Sequence, residues 1–540
     1  MEKSYLEKIQ IHKENKLAGL HPGAKLWVVI LYTVCTFILN SIHLTEVGLS
    51  LAVIPWFLVV LILCATSGAM KKCVKAFKAV AFIALVIFVV QTFIVPGGEV
   101  LWRFGILRIC EKGLRTAISL SFMVMDIAGI FVWYFQTTSN KEIARALEES
   151  GMNYKAVYVF TSSLSMIDIL SGNSKTIMNA QKARGVETEG NMIVRAKAFF
   201  PTLVPLILGA VIGSEERVLT LEARGFSMQC EKTHMFNLEK SGLESTVSDC
   251  REGGIMDIIM ECKNVDYSYP LTTEPAIKHL NLQIERGKFY GVIGENGSGK
   301  TTLCALLRGF APSFYKGEIK GEVLVEGKNI NEYGGELSQK IGFVFQNPFT
   351  QISGVKDTVF EEVAYGLENF GVPVEEIERR VIEVMKMTNI ESLAEKNPFE
   401  LSGGQMQRVA LASVIVLEPD ILIIDEPTSQ LDPEGTESVF AIIKAMKDKQ
   451  KTIILVEHKI DLIAEYADDV LVLKDGELIA VGDKNEILTD ITLMEKGVAL
   501  PQVVLLAVKL QKAGLPLTKI PVTEKQAIEM IGQAMKEKRG

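Results

Sequence analysis

The stretch "GENGSGKTT", residues 294–302, follows a short apolar run, Phe289–Ile293, and opens an apolar helical pattern. It fits G-x-x-x-x-G-K-[S/T] in the strand–loop–helix context that a phosphate-binding loop requires. The glycines let backbone N–H groups close around phosphates, and the N-terminus of the following helix adds partial positive charge. The stretch therefore predicts an α/β domain in which Lys300 reaches the β and γ phosphates of a nucleotide and Thr301 binds Mg²⁺.

Two further stretches follow on the C-terminal side. "DILIIDEP", residues 420–427, is a continuous apolar run that ends in two acids, which is typical of a buried strand in a parallel sheet. We expect Asp425 to contribute to the Mg²⁺ shell and Glu426 to polarise the attacking water. "LSGGQ", residues 401–405, opens a helical pattern before that strand. It resembles the signature of ATP-binding cassette (ABC) ATPases.

The resemblance to ABC ATPases implies roles for further residues. Tyr269 is expected to stack on adenine, although an aromatic residue before a proline is often a packed edge residue. Gln346 would meet Mg²⁺ and water, Asp432 would cross a dimer interface, and His458 would approach the γ phosphate. Met406 stands where many relatives carry Lys or Arg. The predicted catalytic residues are Lys300, Gln346, Glu426 and His458; the predicted Mg²⁺ ligands are Thr301, Gln346 and Asp425; the predicted ATP-binding residues are Tyr269, Gly294, Asn296, Gly297, Ser298, Gly299, Lys300, Thr301, Thr302, Ser402, Gly403, Gly404, Gln405 and Asp432.

The composition bounds the rest of the chain. With 540 residues, the chain exceeds the size at which one core keeps growing, so two or more domains are expected. The net charge of −8 argues against a nucleic-acid partner, since such proteins carry a basic stripe. The eight cysteines are scattered without a C-x-x-C pair, which indicates neither a zinc site nor a disulfide framework.

The first quarter carries the longest apolar runs and all four tryptophans. Four stretches come close to the ~20 apolar residues that a bilayer span needs, and a soluble helical bundle is the alternative. Trp27, Trp102 and Trp133 lie near the ends of these stretches and are predicted to anchor them at the membrane interface. The candidate spans are Leu26–Ile42, Val47–Ala65, Ala79–Val95 and Ala117–Phe135.

Basic residues set the predicted orientation of these spans. Lysines are frequent before the first span and between the second and third, so both segments are expected to be cytoplasmic. The segment between the third and fourth spans is also basic, so the bias is imperfect. An even number of spans returns the chain to the cytoplasm, where an ATP-using domain must lie.

Residues 139–226 contain two long helical patterns with the same ending. Each pattern ends in Ala-Arg-Gly, with Arg184 in the first and Arg224 in the second. The glycine is a typical helix C-cap, and a cation is favoured in the last turn by the helix dipole. The helix dipole alone would explain a single arginine at a helix end. Two Ala-Arg-Gly endings in neighbouring helices favour a docking role that both arginines share. The second pattern starts near Phe199 and is either a fifth span or, as we favour, a long helix with one apolar and one charged end.

The arrangement resembles the transmembrane T component of energy-coupling factor (ECF) transporters over roughly residues 15–230. In that family two cytoplasmic coupling helices end in Ala-Arg-Gly or Ala-Arg-Ser, and both arginines dock onto ATPase subunits. The resemblances imply a multi-domain fold: an N-terminal all-α polytopic membrane domain with cytoplasmic coupling helices, then an α/β P-loop ABC ATPase. The predicted domains are a T-type transmembrane and coupling domain at 1–230, a linker at 231–257, the ATPase at 258–490, and a helical extension at 491–540. The extension would either serve dimerisation, as the resemblance implies, or pack on its own domain.

The implied function is that of an energy-coupling module in an ECF-type importer. The cofactors would be ATP and Mg²⁺, and the partners a second ABC ATPase chain, a substrate-binding S component and the lipid bilayer of the plasma membrane. The solute would be a vitamin, a vitamin precursor, or a transition metal ion such as cobalt or nickel. An ABC exporter half-transporter, which needs six long spans, and a non-transport ABC protein remain as alternatives.

The two arginines are predicted to dock separately, one on this chain's own cassette and the other on the partner. Each would project from its helix end, with no acidic partner within its own motif. The receiving surface is expected to be "VKDTVFEEVAYG", residues 355–366, where Asp357, Glu361 and Glu362 supply negative charge near Gln346. An arginine offers a planar, multi-donor fork that suits such a surface.

Overall fold

The computed structural model describes residues 20–41, 53–68, 70–104, 107–183, 192–235, 258–272, 274–515, 517 and 519–537. The chain divides into two compact units. The first comprises residues 1–169 with 236–243, and the second comprises residues 170–235 with 244–540. The described helices are α1 Pro22–Ser41, α2 Val53–Thr66, α3 Met70–Ile94, α4 Glu111–Thr137, α5 Asn140–Glu149, α6 Tyr154–Ala183, α7 Met192–Ala223, α8 Lys300–Leu307, α9 Leu337–Lys340, α10 Pro348–Gln351, α11 Val359–Asn369, α12 Val374–Met387, α13 Gly403–Ile415, α14 Pro433–Asp448, α15 Ile460–Tyr466, α16 Lys484–Ile487, α17 Thr492–Glu495, α18 Gln502–Lys512 and α19 Glu524–Glu537. The described strands are β1 Val100–Phe104, β2 Leu107–Cys110, β3 Ile258–Ser268, β4 Ile277–Glu285, β5 Phe289–Ile293, β6 Glu318–Val325, β7 Lys328–Asn329, β8 Ile341–Val344, β9 Ile421–Asp425, β10 Thr452–Val456, β11 Asp469–Lys474 and β12 Glu477–Asp483.

The first unit contains apolar helices where the four spans are predicted. Helices α1, α3 and α4 are long and apolar enough to cross a membrane, whereas α2 has only 14 residues. The predicted second span begins at Val47, and its residues 47–52 lie outside the described residues. On α3 the exposed side chains include Phe82, Leu85 and Val89. An apolar outer face of this kind suits contact with lipid. A helix can span lipid because its backbone polar groups bond to one another within the helix.

The tryptophans of the first unit divide between surface and core. Trp27 is 65% exposed and Trp102 is 63% exposed, as interface anchors require. Trp133 is 1% exposed, and its indole N–H donates to Ser67 Oγ at 3.2 Å. The prediction that Trp133 anchors a span at the interface is therefore wrong, because a buried indole that finds a hydroxyl acceptor is stable inside a helix bundle.

Two sheets and the helices around them form the cassette of the second unit. The larger sheet has the order β12-β11-β5-β10-β9-β8, and its strands run parallel except for β12 at one edge. All residues of β5, β8, β9 and β10 are buried, as expected for continuous apolar strands covered on both faces. The smaller sheet is antiparallel, with the order β4-β3-β6-β7.

Two long helices precede the cassette, and the division between the units falls within the first of them, α6. Helix α7 starts at Met192, which is seven residues before the predicted start at Phe199. The preceding residues carry no apolar stripe, but Met, Arg, Lys and Ala all favour helix, so the helix extends through them. At the other end of the second unit, α18 ends at Lys512 and is followed by Gly514, which has a positive φ. The predicted C-terminal extension also contains α19.

Candidate nucleotide site and coupling contact

Three predicted catalytic residues meet at the carboxyl edge of the larger sheet. Strands β8, β9 and β10 are parallel neighbours, so the loops that follow them leave from the same edge. These loops carry Gln346, Glu426 and His458. The Gln346 side-chain amide donates to Glu426 Oε2 at 2.7 Å, and His458 Nε2 lies 2.8 Å from Glu426 Oε1. Sheet topology therefore gathers side chains that lie up to 112 residues apart (458 − 346).

The phosphate-binding loop has the backbone that its glycines predict. Gly294 has φ +155°, and a Cβ there would lie 2.3 Å from the carbonyl oxygen of Leu473, so another residue would collide with backbone. Gly299, with φ +101°, is the N-cap of α8. Lys300 Nζ donates to the carbonyl oxygens of Gly294 and Glu295, both at 2.9 Å, and burial lowers the pKa of Lys300. The ammonium group is thus held inside the loop, at the place where phosphates would compete for it.

The residues predicted to bind Mg²⁺ fit that ion. Asp425 is 4% exposed, and its Oδ1 atom has no hydrogen-bond partner among the described residues. Burial raises the pKa of Asp425 to about 6, whereas a hydrogen bond with Thr301 opposes that change. The carboxylate of Asp425, the hydroxyl of Thr301 and the amide oxygen of Gln346 are the hard oxygen ligands that Mg²⁺ prefers. An orphaned buried carboxylate oxygen beside the loop is what a cation site requires.

The predicted adenine and γ-phosphate contacts lie beside the loop. The Tyr269 hydroxyl is 3.1 Å from Thr302 Oγ1, and the ring packs edge-on against Tyr267 with a centroid distance of 5.0 Å. His458 is preceded by a buried acid, Glu457, which accepts hydrogen bonds from the backbone N–H groups of His458 and Lys459 and from Thr428 Oγ1. Glu457 holds the histidine loop in place. Sequence reasoning missed Glu457, although an acid at the end of a fully apolar strand is a detectable signal.

The signature stretch forms the N-terminus of α13. The Ser402 and Gln405 side chains each bond the backbone N–H group of the other, which is a capping box. A Cβ at Gly403 would meet no atom within 4 Å in the part of the chain that the structure describes. Asp432 caps α14 by accepting from the Gly435 N–H group at 2.8 Å. Both motifs are locally satisfied, and the open side of Gly403 leaves the α13 N-terminus accessible.

Arg224, the arginine at the end of α7 that is predicted to serve coupling, is fully buried in the second unit. Arg224 Nη1 donates to Glu362 Oε1 at 2.5 Å. Its Nη2 atom donates to the Gln351 carbonyl oxygen at 2.7 Å and to Ser413 Oγ at 2.8 Å. One of the two arginines was predicted to dock on this chain's own cassette, and Arg224 does so, with its guanidinium group enclosed by that cassette. The other arginine that is predicted to serve coupling, Arg184, lies outside the described residues.

The predicted receiving segment supplies the acid of this contact. Of the three acids expected there, Glu362 binds the arginine, whereas Glu361 accepts from the Thr358 hydroxyl at 3.1 Å. Glu362 also accepts from the backbone N–H group and the hydroxyl of Ser353, at 2.8 and 2.7 Å. Both charges of the pair therefore have further hydrogen bonds, which a buried ion pair needs in order to offset its desolvation.

Hydrogen bonds connect this contact to Gln346, which is predicted to be catalytic. The Gln351 side chain accepts from the Phe345 N–H group at 3.0 Å and donates to the Phe343 carbonyl oxygen at 3.3 Å. Phe345 directly precedes Gln346, and the carbonyl group of Gln351 binds Arg224. Gln351 is thus hydrogen-bonded through its side chain to the end of β8 and the residue after it, and through its carbonyl group to Arg224 at the end of α7. Sequence reasoning missed Gln351, Ser353 and Ser413, since buried neutral polar residues carry no local signal.

The chain continues along the cassette after α7. Asn369 Nδ2 donates to the Arg224 carbonyl oxygen at 3.1 Å, and Lys232 Nζ donates to the carbonyl oxygens of Gly225 and Asn369 at 3.2 and 3.0 Å. The Thr233 N–H group donates to the Glu368 carbonyl oxygen at 3.0 Å. Residues 225–235, which we call the strap, therefore lie against the C-terminal end of α11. They include residues 231–235, which were predicted as the start of the linker.

Two sequence-family models match this chain. The model described as "ABC transporter" matches residues 277–429, and the model described as "Cobalt transport protein" matches residues 13–235. The second match covers the apolar helices, both Ala-Arg-Gly endings and the strap. The two matches lie side by side in one polypeptide and do not overlap.

Curated relatives match the cassette half. A putative ABC transporter ATP-binding protein of Pyrococcus horikoshii is 40% identical over 276 residues, which is 51% of this chain and 96% of that protein. An energy-coupling factor transporter ATP-binding protein of Streptococcus agalactiae is 39% identical over 283 residues, which is 50% of this chain and 98% of that protein. The solved structure of cbiO1 from Clostridium perfringens, described as part of the ABC transporter complex cbiONQ, covers 48% of this chain at 33% identity with a TM-score of 0.40.

These matches decide among the alternatives that the sequence left open. An exporter half-transporter and a non-transport ABC protein both fail to explain a T-type region at residues 13–235. The chain is a multi-pass protein of the plasma membrane that binds ATP and couples its hydrolysis to transport. It belongs to the energy-coupling factor transporter family, and it carries the membrane T component and one ATP-binding A component in a single polypeptide.

Proposed function

We propose that this chain is the energy-coupling module of an importer that takes up its solute through a separate S component. The observation that carries the proposal is the buried ion pair between Arg224 and Glu362, at 2.5 Å. It joins the end of a T-type coupling helix to the ATPase segment that follows Gln346. A contact of this kind is what a machine needs if changes at the nucleotide are to move a membrane component.

In the proposed nucleotide cycle, Lys300 binds the β and γ phosphates and Glu426 orients and polarises the attacking water. Gln346 and His458 both contact Glu426, at 2.7 and 2.8 Å, so each can hold the carboxylate in position. Thr301, Gln346 and Asp425 would hold Mg²⁺, which neutralises phosphate charge when bound. The glycine-rich loop, with Asn296, Ser298 and Thr302, binds the phosphates, and Tyr269 stacks on adenine.

One cassette supplies only part of a composite ATP site in this proposal. The open side of Gly403 supports binding of the α13 N-terminus, from Ser402 to Gln405, to the γ phosphate held by another cassette. Asp432 would cross the same interface. Since this chain carries one cassette, we propose a second, separate ATPase chain as the partner.

The movement would pass from Gln346 through Gln351 to Arg224 and α7. The hydrogen bond from the Phe345 N–H group to Gln351 and the bond from Arg224 to the Gln351 carbonyl oxygen support this path. Because Arg224 already occupies this chain's own cassette, Arg184 would dock on the partner ATPase. The solute would be a vitamin, a vitamin precursor or a transition metal ion; the family description "Cobalt transport protein" supports the last class.

The test combines uptake with composition. The complex, purified from its own host, is expected to contain one copy of this chain, one other ATPase and one S component by native mass spectrometry. Arg184→Ala with Arg224→Ala is expected to abolish uptake of labelled vitamins or of cobalt and nickel ions while ATP binding persists. Full uptake by that variant, or two copies of this chain without another ATPase, would contradict the proposal.

A further inference from the structure

A second hydrogen-bonded connection joins the nucleotide site to α7 without passing through Arg224. Helix α8 begins at Lys300 in the phosphate-binding loop, and Arg308 is its C-cap. Arg308 Nη2 donates to Ser338 Oγ at 2.9 Å, and Ser338 Oγ donates to the Glu222 carbonyl oxygen at 2.6 Å. Arg308 is 2% exposed and Ser338 is 1% exposed, so water does not compete for either bond.

The Glu222 carbonyl group lies in the last turn of α7, which ends at Ala223. Carbonyl groups in the last turn of a helix lack full intrahelical partners and carry the negative end of the helix dipole. The Glu222 carbonyl oxygen accepts from the Gly225 N–H group at 3.1 Å and from the Ser338 hydroxyl at 2.6 Å, and the buried guanidinium group of Arg308 supplies a positive charge behind that hydroxyl. The C-terminal end of α7 is thus held by two arginines from different directions, its own Arg224 and the cassette's Arg308.

Arg308 is a buried charged residue, and removing its guanidinium group from water is unfavourable for folding. Burial lowers the pKa of Arg308 to about 10, with the nearby charge of Glu222 opposing that change, so the group stays protonated at neutral pH. Its Nε atom has no hydrogen-bond partner among the described residues. The guanidinium carbon lies 5.0 Å from the centroid of the Phe310 ring, which replaces part of the lost hydration. A neutral residue would fill this space without the cost of burying a charge.

The segment that carries Ser338 touches both sides of the connection. A Cβ at Gly309, directly after Arg308, would lie 3.1 Å from the Leu337 side chain. A Cβ at Gly335 would lie 3.1 Å from the Cα atom of Met228 in the strap. Residues 335–338 therefore lie between the end of the phosphate-binding helix and the chain that follows α7.

We propose that Arg308 and Ser338 are positioning residues that carry nucleotide-dependent movement of α8 to the C-terminal end of α7, in parallel with the path through Gln346 and Arg224. Helix α8 is a single element of eight residues whose first residue is the phosphate-binding Lys300. A displacement at the phosphate end therefore reaches Arg308 within the same rigid element. The inference rests on the proposed function, since it adds a second path to the same coupling.

The test measures hydrogen–deuterium exchange of residues 218–226 in the complex purified from its own host, with and without Mg-ATP. All variants carry Glu426→Gln, so that ATP is held without turnover. In this background we expect ATP to change the exchange rate at the α7 end. Ser338→Ala is expected to reduce that ATP-dependent change by about fivefold, because the net contribution of one hydrogen bond changes an equilibrium constant by about that factor. The affinity for ATP is expected to be unchanged, because Ser338 has no place in the nucleotide site.

Two further variants separate transmission from general packing. Arg308→Lys keeps the charge but not the fork, and it is expected to restore part of the response that Arg308→Met loses. Thr388→Val is the matched control, since Thr388 is 1% exposed and donates to a helix carbonyl group, that of Val384, at 2.8 Å. It removes a buried hydroxyl of the same kind from the same cassette, and it is expected to leave the ATP response intact.

The outcomes distinguish the two proposals. If the background variant responds to ATP and Ser338→Ala responds equally, the second path is wrong and the proposed function stands. If the background variant shows no ATP-dependent change at the α7 end, the proposed coupling function is wrong, and the second path is overturned with it. A response that Thr388→Val reduces as much as Ser338→Ala would also overturn the second path.

Discussion

The nucleotide site and the Arg224 contact lie in the same unit but are built in opposite ways. The nucleotide site is open on one side: the Gln346 side chain is exposed, His458 is 45% exposed, and Gly403 faces open space among the described residues, whereas Lys300 and Asp425 are buried. The Arg224 contact is closed, with both charged side chains of the pair at 0% exposure. A site that admits and releases a nucleotide must keep an accessible side. The Arg224 contact, which we call the joint, excludes water instead, because both members of its ion pair are fully buried.

The difference also appears in how the charges are satisfied. Among the described residues, Asp425 Oδ1 in the nucleotide site lacks a hydrogen-bond partner, and Lys300 Nζ donates to the carbonyl oxygens of Gly294 and Glu295. At the joint, Glu362 accepts from Arg224 and twice from Ser353. Both carboxylate oxygens of Glu362 are therefore paired, whereas Asp425 keeps one unpaired oxygen; on the basic side of the joint, Arg224 Nε lacks a hydrogen-bond partner among the described residues.

The largest expected effect is on the open site. Glu426→Gln keeps the shape of the side chain but removes the carboxylate that both Gln346 and His458 contact. We expect ATP hydrolysis at this site to fall by ~10²–10⁴-fold, the usual contribution of a general base, with ATP binding retained. Steady-state hydrolysis measures this, with Glu437→Gln, an exposed acid on α14, as the matched control. An unchanged rate at this cassette's site would show that another group activates the water.

The closed joint should respond differently from a surface ion pair. Glu362→Gln leaves Arg224 buried without its counter-charge, and breaking such a pair costs ~3–5 kcal/mol. Glu376→Gln is the comparison, because Glu376 pairs with the 60%-exposed Arg379 and surface pairs contribute about 0–1 kcal/mol. Exchange of the amides at residues 218–226 is expected to rise strongly in Glu362→Gln and to stay unchanged in Glu376→Gln. Equal behaviour would mean that the joint is not closed in solution.

The orphaned carboxylate of the open site should lower stability in a pH-dependent way. Burial raises the pKa of Asp425 from 3.8 to about 6, so the destabilisation by the ionised form grows as the pH rises from 3.8 to 6 and is complete above pH 6. From this pKa the penalty is ~3 kcal/mol at pH 7.5, falls to about half of that at pH 5, and vanishes well below pH 3.8. Without nucleotide, Asp425→Asn is expected to raise the melting temperature of the cassette, more at pH 7.5 than at pH 5.

Magnesium supplies the control for that prediction. If Asp425 binds Mg²⁺, Mg-ATP should stabilise the parent protein more than it stabilises Asp425→Asn. The melting temperature of the parent protein should then come close to that of the variant or exceed it. Differential scanning calorimetry at both pH values, with and without Mg-ATP, measures this. A variant that is less stable than the parent without nucleotide at pH 7.5 would show that the carboxylate is not destabilising.

The sequence predicts the open site far better than the closed joint, for a physical reason. A phosphate is bound by consecutive backbone N–H groups, so residues 294–302 form a contiguous pattern, and apolar strands direct Asp425, Glu426 and His458 to one edge. The joint is assembled from single residues on four segments, and Arg224 lies 189 residues from Ser413. The segment with Glu362 was predicted from its charge, but Gln351, Ser353 and the burial of Arg224 depend on tertiary packing.

The same distinction applies to the helices. The end of α7 at Ala223 follows from local chemistry, since a glycine two residues later adopts φ +69°. The start of α7 does not, because good helix formers without an apolar stripe carry no periodic signal. The burial of Trp133 likewise depends on neighbouring helices, through Ser67, and is not visible in the apolar run that contains it.

The smallest expected effect concerns the glycine that ends α7. Gly225 has φ +69°, and a Cβ there would lie 2.5 Å from the Phe370 ring. Gly225→Ala therefore adds a collision to the cost of a left-handed backbone, which is about 1–2 kcal/mol for a residue with a Cβ. Gly327→Ala is the matched control in the same unit, because Gly327 has φ +78° and a Cβ there meets no atom within 4 Å among the described residues.

The two variants separate the glycine as a helix end from the glycine as part of the joint. Both variants should be destabilised, because alanine is unfavourable in a left-handed backbone conformation. Gly225→Ala should be destabilised more, because the Phe370 ring must also move away from the strap. The double variant Gly225→Ala with Phe370→Leu should remove the collision. The destabilisation caused by Gly225→Ala in the Phe370→Leu background should then be close to that caused by Gly327→Ala. Chemical unfolding measures the costs, and hydrogen exchange of residues 225–235 locates them. If Gly225→Ala cost no more than Gly327→Ala, the glycine would serve only to end the helix, and the tight packing of the joint would stop at Arg224.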